Sequence, residues 1–271
     1  MLRPLLPQRL RRRQLRLTYA APSALRLVEG LAAVVAVGTL ALMLPPVATT
    51  GPLSFAQASF TAVSAASVTG LSVITPSQEL TFFGQLVLML LIQAGGVGFM
   101  MLAVFMLLAL GRKVSLADRL ALQDSLGLSL PRAVVRIAGR TVRGILVIEG
   151  IGALLLWINW APLLGPSKAL WYGIFHAVSA FCNAGFDLWT GTPGFAGIPT
   201  DTFTLAILGT LIVAGGLGIP VWGDLLFRRG RWSLHTRVTL ITSSVLILGG
   251  AVGLIMAEHR SGGLMSGQPW Y

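Results

Sequence analysis

Five apolar stretches of membrane-spanning length are the feature that most constrains how this chain can fold. They lie at residues 27–46, 81–110, 144–164, 203–227 and 238–257. A helix needs about 20 apolar residues to cross the hydrocarbon core of a bilayer. Only 11% of the residues are charged, whereas soluble domains carry about 25%. The sequence therefore predicts an all-α integral membrane protein with five transmembrane spans, and it argues against a soluble enzyme.

The positive charge is concentrated in three segments. Of the 20 Lys and Arg residues, eighteen lie in residues 1–26, 111–143 and 228–237. Short cytoplasmic loops carry an excess of Lys and Arg, and five spans put these three segments on one side of the membrane. The net charge of +11 therefore indicates orientation and contact with anionic membrane lipid, and we expect no nucleic-acid partner. The predicted location is the plasma (inner) membrane, multi-pass, with a cytoplasmic N-terminus.

The two connections predicted to lie outside contain short apolar segments. Residues 47–80 include FAQASFTAVSAASVTGLSV, and residues 165–202 include ALWYGIFHAVSAFCNAGFDLW. Each has an apolar stretch of about a dozen residues, which is too short to span. Non-helical backbone at membrane depth is tolerated only where it lines a polar cavity or is buried in protein. These segments therefore predict two pore helices, each followed by a re-entrant turn.

One unit occurs twice in the chain. Phe60–Leu71 (FTAVSAASVTGL) aligns with Phe175–Phe186 (FHAVSAFCNAGF) at six of twelve positions. At an offset of 120, GGVGF at 95–99 aligns with GGLGI at 215–219, and VEG at 28–30 aligns with IEG at 148–150. Both copies start and end inside, so they have parallel topology and can be related by an axis along the membrane normal. Their turns would meet at that axis.

The repeats predict the following division of the chain. A basic cytoplasmic N-terminus covers residues 1–26, and repeat 1 (span, pore loop, span) covers 27–110. A basic cytoplasmic linker at 111–143 leads to repeat 2 at 144–227. Residues 228–271 are predicted to be a cytoplasmic linker and the first span of a truncated repeat 3.

The two turns offer backbone oxygens and little side-chain chemistry. Their sequences are SVTGL at 67–71 and CNAGF at 182–186, without a carboxylate–imidazole pair or a metal-ligand cluster. Glycine permits a positive φ, so the chain can leave a helix with several carbonyls directed to one side. Rings of carbonyl oxygens can replace the hydration shell of an alkali cation. The turns therefore indicate a cation pathway and not an enzyme.

Four segments carry a resemblance to a known family. TAVSAASVTGLSV, LIQAGGVGFM, HAVSAFCNAGFDLW and IVAGGLGIPVW resemble the first two repeats of the Trk/Ktr/HKT superfamily of potassium transporters, in particular its bacterial membrane subunits. The resemblance covers about residues 24–257. It implies that Gly70 and Gly185 are selectivity-filter glycines. It also implies that K⁺, the transported ion, binds backbone carbonyls of Val68, Thr69, Gly70, Asn183, Ala184 and Gly185.

The resemblance also implies partners and leaves alternatives open. It implies a homodimer with a pore in each protomer, seated on a cytosolic nucleotide-binding regulatory subunit, and no cofactor beyond the transported K⁺. The family's pore has four repeats, whereas this sequence holds two and the start of a third. A non-conducting fragment that needs further repeats is therefore one alternative, and a secondary transporter of another solute is a second. Selectivity for K⁺ over Na⁺ and coupling to Na⁺ or H⁺ stay undecided.

Several other residues are predicted to have structural roles. The glycines of the two GG-x-G segments should form smooth surfaces against which the re-entrant segments lie, because small residues let backbones approach closely. Glu29 and Glu149 should complement the start of their helices. His176 aligns with Thr61, which argues against an ion-ligand role. Asp187 follows the second turn, where it would either attract cations or be a solvated loop acid.

Overall fold

The computed structural model describes residues 28–49, 51–98, 131–227 and 232–260. Within these ranges the chain is helical and has no β-strand, which agrees with the predicted all-α class. A short 3₁₀ helix at Pro45–Val47 follows the first helix. The α-helices are α1 (Val28–Leu42), α2 (Phe55–Ala66), α3 (Pro76–Glu79), α4 (Phe82–Gly96), α5 (Pro131–Leu164), α6 (Pro166–Phe181), α7 (Thr202–Gly216), α8 (Ile219–Phe227) and α9 (Leu234–Arg260).

Two of the described helices are long and apolar enough to cross a bilayer. They contain the stretches Thr141–Leu164 in α5 and Leu234–Ala257 in α9. Three further apolar helices, α1, α4 and α7, have fewer than 18 residues. All five coincide with stretches predicted to span, but three are shorter than predicted.

The fourth predicted span, 203–227, is not one continuous helix. It consists of α7 and α8, which are separated at Leu217 and Gly218. Gly218 has a φ of 80°, and a residue in this left-handed conformation ends an α-helix. The equivalent Gly98, with a φ of 83°, follows the end of α4 within the second predicted span. The GG-x-G segments therefore end helices, a role that their apolar composition does not reveal.

The predicted linker at 111–143 also differs from the structure. Helix α5 already begins at Pro131, so the last part of this basic segment belongs to the helix. Charge marks where the hydrocarbon ends but not where a helix ends, because Arg has nearly the same helix propensity as Leu. The predicted N-terminal segment 1–26 and residues 111–130 lie outside the described residues.

Helix α6 lies at the centre of the described fold. Its neighbours include α5, α7 and α4, and most of its length is buried. The turn that leads into it is tight, since Gly165, with a φ of 78°, precedes Pro166 at the first helical position. An aromatic cluster packs around one face of α6, in which Trp160 contacts His176 and Trp189 edge to face. Helix α6 thus fixes the position of the turn that follows it.

Side-chain caps set the starts of three helices. Ser54 and Gln57 form a capping box at α2, Thr81 caps α4 and Asp201 caps α7. Asp201 accepts hydrogen bonds from the Thr204 backbone N–H at 2.9 Å and from Asn159 Nδ2 at 3.1 Å. Partial burial alone would raise the pKa of Asp201, but these hydrogen bonds outweigh it and hold the pKa below its ordinary value.

We expect Asp201→Ala to destabilise the protein by about 1 kcal/mol, because α7 loses its N-cap acceptor. Asp201→Asn keeps an acceptor and should stay close to wild type. Thermal unfolding of the detergent-solubilised protein would measure both. Because the folded-state pKa is lowered, the ionised cap stabilises the fold above the ordinary pKa of 3.8, and this contribution should disappear as the pH falls below it. Equal losses in both variants would contradict the cap assignment.

Candidate functional site

The turn after α2 begins with backbone N–H groups that fold back onto the helix end. Val68 donates its N–H to the Ala65 carbonyl at 3.2 Å, and Thr69 donates its N–H to the Ser64 carbonyl at 2.9 Å. This is the Schellman arrangement, in which a left-handed residue follows the helix cap. Here that residue is Val68, with a φ of 56°. The helix end is thereby capped by the turn's own backbone.

The turn after α6 repeats this geometry. Asn183 donates its N–H to the Ala180 carbonyl at 3.0 Å, and Ala184 donates its N–H to the Ser179 carbonyl at 2.8 Å. Asn183 has a φ of 58°, close to the value of Val68. Gly70 and Gly185, two residues further on in each turn, have φ values of 79° and 74°. The two turns therefore share one backbone conformation.

This conformation directs carbonyl oxygens away from the helices. In a trans peptide the C=O points opposite to the N–H of the next residue. Because the N–H of Val68 and that of Thr69 point back at α2, the carbonyls of Ser67 and Val68 point away from it. The same holds for Cys182 and Asn183 at α6. Ser67 and Cys182 were not among the predicted ligands, because their carbonyl directions follow from hydrogen bonds that the sequence does not show.

The carbonyl oxygens of the predicted ligand residues have no hydrogen-bond donor in the part of the chain that the structure describes. Among the described residues, none donates a hydrogen bond to the predicted ligand carbonyls of Val68, Thr69, Gly70, Asn183, Ala184 and Gly185. Buried backbone acceptors are nearly always paired with a donor or with water. Oxygens at this site are therefore available to a cation or to water.

The structure brings the two turns into contact. A Cβ atom placed on Gly70 would overlap the carbonyl oxygen of Ala184 and lie 3.3 Å from the Cα of Gly185. A Cβ on Gly185 would lie 3.5 Å from the Cα of Gly70. The predicted site residues therefore lie together, although they are more than 100 positions apart in the sequence. Gly70 is the more tightly constrained glycine of the two.

Glycines of α4 and α7 lie against the ends of α2 and α6. A Cβ on Gly95 would overlap the carbonyl oxygen of Ala66, and one on Gly215 would overlap that of Phe181. The smooth surfaces predicted for these glycines are present in the structure. Gly96 is in contact with the side chain of Cys182 at the second turn. Its counterpart Gly216 has no atom of the described chain within 4 Å of a Cβ position.

A polar cluster lies behind the second turn. The amide Nε2 of Gln93 is 3.1 Å from each carboxylate oxygen of Glu149, which is 4% exposed. The amide oxygen of Gln93 lies 3.8 Å from the thiol sulfur of Cys182. Gln93 thus joins helix α4 to helix α5 and to the start of the second turn. Sequence analysis missed Gln93, since a lone amide in an apolar stretch gives no indication of its partner.

The glycine contacts of α1 and α5 give a different alignment of these two helices from the one that the sequence predicts. Gly38 faces Leu91, and Gly152 faces Leu211 in the same way. These glycines are 114 positions apart, so the predicted offset of 120 for VEG and IEG does not describe equivalent positions. Glu29 is exposed whereas Glu149 is buried. The offset is 114 in the first helices, 115 at the aligned Phe60 and Phe175, and 120 in the helices that carry Leu91 and Leu211. Most of the shift therefore arises after the turns, because twenty residues separate α6 from α7 while fifteen separate α2 from α4.

Asp187 is engaged within its own loop. Its carboxylate accepts a hydrogen bond from the Thr190 backbone N–H at 2.7 Å and one from the Thr190 hydroxyl at 3.0 Å. The side chain therefore stabilises the chain that leaves the second turn. Whether it also attracts cations at the mouth of the site stays a prediction.

Comparison with known proteins places these features in a family context. The family model TrkH, described as a cation transport protein, matches residues 22–246. The potassium/sodium uptake protein NtpJ of Enterococcus hirae is 34% identical over 215 residues, which are 79% of this chain and 47% of NtpJ. Ktr system potassium uptake protein B of Vibrio alginolyticus is 35% identical, covering 84% of this chain and 52% of the relative. The Bacillus subtilis protein of that name is 36% identical, with 84% and 51% covered. The chain thus spans about half the length of the curated relatives it matches.

We expect Gln93→Leu to destabilise the fold by about 1–3 kcal/mol, because it removes the donor to a buried carboxylate. A double variant, Gln93→Leu with Glu149→Leu, removes both partners and should recover much of that loss. Thermal unfolding in detergent of Gln93→Leu, Glu149→Leu and the double variant, each compared with wild type, gives the interaction energy of the two side chains as a double-mutant cycle. Additive losses would show that the two side chains do not interact.

Proposed function

Because the chain belongs to the TrkH family of cation transport proteins, we propose that it is a membrane subunit for potassium uptake across the plasma membrane. Its two turns would form part of a selectivity filter. The observation that carries this proposal is the contact between two turns whose predicted ligand carbonyls have no donor among the described residues. The choice of K⁺ as the ion rests on relatives that are named potassium uptake proteins. No covalent chemistry is required of any residue.

In this proposal the filter replaces the water around K⁺ with peptide oxygens. The first two N–H groups after each helix cap donate to the helix end, so the oxygens of those peptide groups are directed away from the helix and toward the ion. The carboxyl ends of α2 and α6 also point at the turns. A helix C-terminus carries a partial negative charge that favours a cation. Both effects lower the cost of removing water from the ion.

The surface around Gly216 supports completion of the filter by further repeats. Gly96 of α4 contacts Cys182 of the second turn, while the equivalent Gly216 of α7 faces open space. Helix α9 is exposed at nearly every residue from 241 to 257. We propose that a third turn lies on Gly216 as the second lies on Gly96. In that arrangement residues 1–271 on their own supply only part of a conducting pore.

The same open surface favours the alternative that these 271 residues do not conduct by themselves. Expression of residues 1–271 alone, followed by measurement of K⁺ uptake, tests whether this segment conducts by itself or needs further repeats. A secondary transporter of an anionic solute is less well supported, because such sites use helix N-termini. At both turns the helices present their C-termini.

The proposal extends to orientation and partners. We place the N-terminus and the basic linkers in the cytoplasm, where Lys and Arg are enriched. The name "Ktr system" of the relatives supports an assembly with further subunits. We propose a homodimer with a cytosolic nucleotide-binding subunit docked on these basic segments.

We expect Gly70→Ser to abolish potassium uptake and Gly185→Ser to reduce it less severely. At both positions the serine must adopt a left-handed conformation, which costs a non-glycine residue about 1–2 kcal/mol. Only at Gly70 does the added Cβ also overlap a carbonyl oxygen. Growth and K⁺ uptake of a potassium-uptake-deficient strain that expresses the intact gene would be measured, normalised to protein in the membrane.

Gly209→Ala is the matched control for these two variants. Gly209 lies in α7 without a positive φ, and outside its own helix no atom of the described residues lies within 4 Å of its Cβ position, so uptake should stay at the wild-type level. Wild-type uptake in both the Gly70 and the Gly185 variants would exclude the turns from the pathway.

A further inference from the structure

The chain that leaves the second turn is tied back to α6 at two points. Ser179 donates its hydroxyl to the carbonyl of Phe186 at 2.6 Å. His176 accepts the backbone N–H of Leu188 on its Nε2 at 3.2 Å. Ser179 and His176 are 3% and 2% exposed, so water does not compete with these bonds. The turn between them is therefore held at both ends by the same helix.

The imidazole of His176 is itself fixed in one form. Because Nε2 accepts a hydrogen bond, Nδ1 carries the proton and donates to the Tyr172 carbonyl at 2.7 Å. The rings of Trp160, Phe175 and Tyr172 surround it. Both ring nitrogens are thus hydrogen-bonded and the ring is packed among aromatic side chains, which makes His176 a well-fixed support.

The first turn has the same positions without the same bonds. Thr61 and Ser64 of α2 align with His176 and Ser179, and their hydroxyls are buried without a partner among the described residues. Leu71 and Val73 correspond to Phe186 and Leu188, and their side chains are 61% and 53% exposed. No described hydrogen bond joins this exit segment to α2 beyond the helix cap. The first turn is tied to α2 at its entry by the helix cap and by the Ser67 hydroxyl, which donates to the Val63 carbonyl at 2.7 Å and lies 2.6 Å from the Thr69 hydroxyl. Its exit has no comparable bond among the described residues.

The two left-handed residues also differ in how well they suit this conformation. Asn183 tolerates this conformation, and its side chain donates to the carbonyls of Phe181 and Ile212, each at 3.3 Å. Val68 is β-branched, for which a positive φ is strained. The second turn therefore has two tethers at its exit and a residue suited to the left-handed conformation, whereas the first turn has a strained residue and no exit tether among the described residues.

We infer that His176 and Ser179 are positioning residues that hold the second turn in its ion-binding conformation, and that the first turn is the adjustable half of the pair. This inference rests on the proposed function. It assigns to each residue an effect on ion affinity and on discrimination between K⁺ and Na⁺. It assigns to the aligned pair, Thr61 and Ser64, no such effect.

The test compares one serine in each repeat. Ser179→Ala removes the tether, and we expect the KM for K⁺ uptake to rise by about two- to ten-fold, the equivalent of one lost hydrogen bond. Discrimination against Na⁺ should fall as well. Ser179→Cys keeps the volume with a weaker donor and should lie between. Ser64→Ala, the matched control, removes a hydroxyl that has no partner and should leave both quantities unchanged.

Uptake by the protein expressed from its intact gene would be measured over a range of K⁺ concentrations, with and without Na⁺. The amount of protein in the membrane and its thermal unfolding are recorded for each variant, so that a folding defect is separated from a change in KM. Equal behaviour of Ser179→Ala and Ser64→Ala, whether altered or unaltered, would overturn the inference.

The glycine variants separate this inference from the proposed function. If Gly70→Ser abolishes uptake while Ser179→Ala and Ser64→Ala have the same KM for K⁺, the turns form the pathway but Ser179 does not position them. If Gly70→Ser and Gly185→Ser leave uptake unchanged, the proposed function fails as well.

Discussion

The arrangement of the site depends on the return of each turn's N–H groups to the end of its own helix. These hydrogen bonds satisfy the last carbonyls of α2 and α6, and the trans peptide then forces the oxygens of the same peptide groups to the opposite side. A single interaction thus caps a helix and exposes acceptors. It requires a left-handed residue directly after the cap, which is why Val68 and Asn183 have nearly equal φ values. Without the cap the oxygens would have no common direction.

The second constraint is close backbone approach. Gly95 and Gly215 let α4 and α7 lie directly on the ends of α2 and α6, so the turns are supported by backbone contact and not by long side chains. Backbone contact leaves little freedom, because neither partner has rotamers to adjust. The same helices end one residue later, at Gly96 and Gly216, and the left-handed Gly98 and Gly218 follow two residues after each end. Support of the turn and termination of the helix therefore arise from one short glycine-rich segment.

Sequence alone placed a glycine turn after each of two short helices, as the structure has them, while the ion-binding role of these turns stays a prediction and their surroundings were predicted poorly. The glycines at 70 and 185 were identifiable because a repeated glycine after a short apolar helix has few structural explanations. The helix break at Gly218 was not predicted, since an apolar glycine is equally compatible with helix packing. Gln93 and Glu149 are in different helices, and only the three-dimensional structure brings them within 3.1 Å. The three-residue match VEG and IEG was misaligned, because so short an identity does not fix a register across loops of unequal length.

The polar cluster gives the stiffness of the second turn a physical basis that extends beyond α6. Gln93 comes from the first repeat, while Glu149 and Cys182 come from the second, so the turn is linked to both. The amide must present its NH₂ to the carboxylate, and this leaves its oxygen for Cys182. A buried carboxylate held by one amide in a spanning helix is costly unless it is well placed. The described structure places it where it orients an amide against the turn, next to the glycines through which the two turns touch. Hydrogen bonds therefore tie the second turn and its exit to both α4 and α6, whereas the exit of the first turn has no such bond among the described residues.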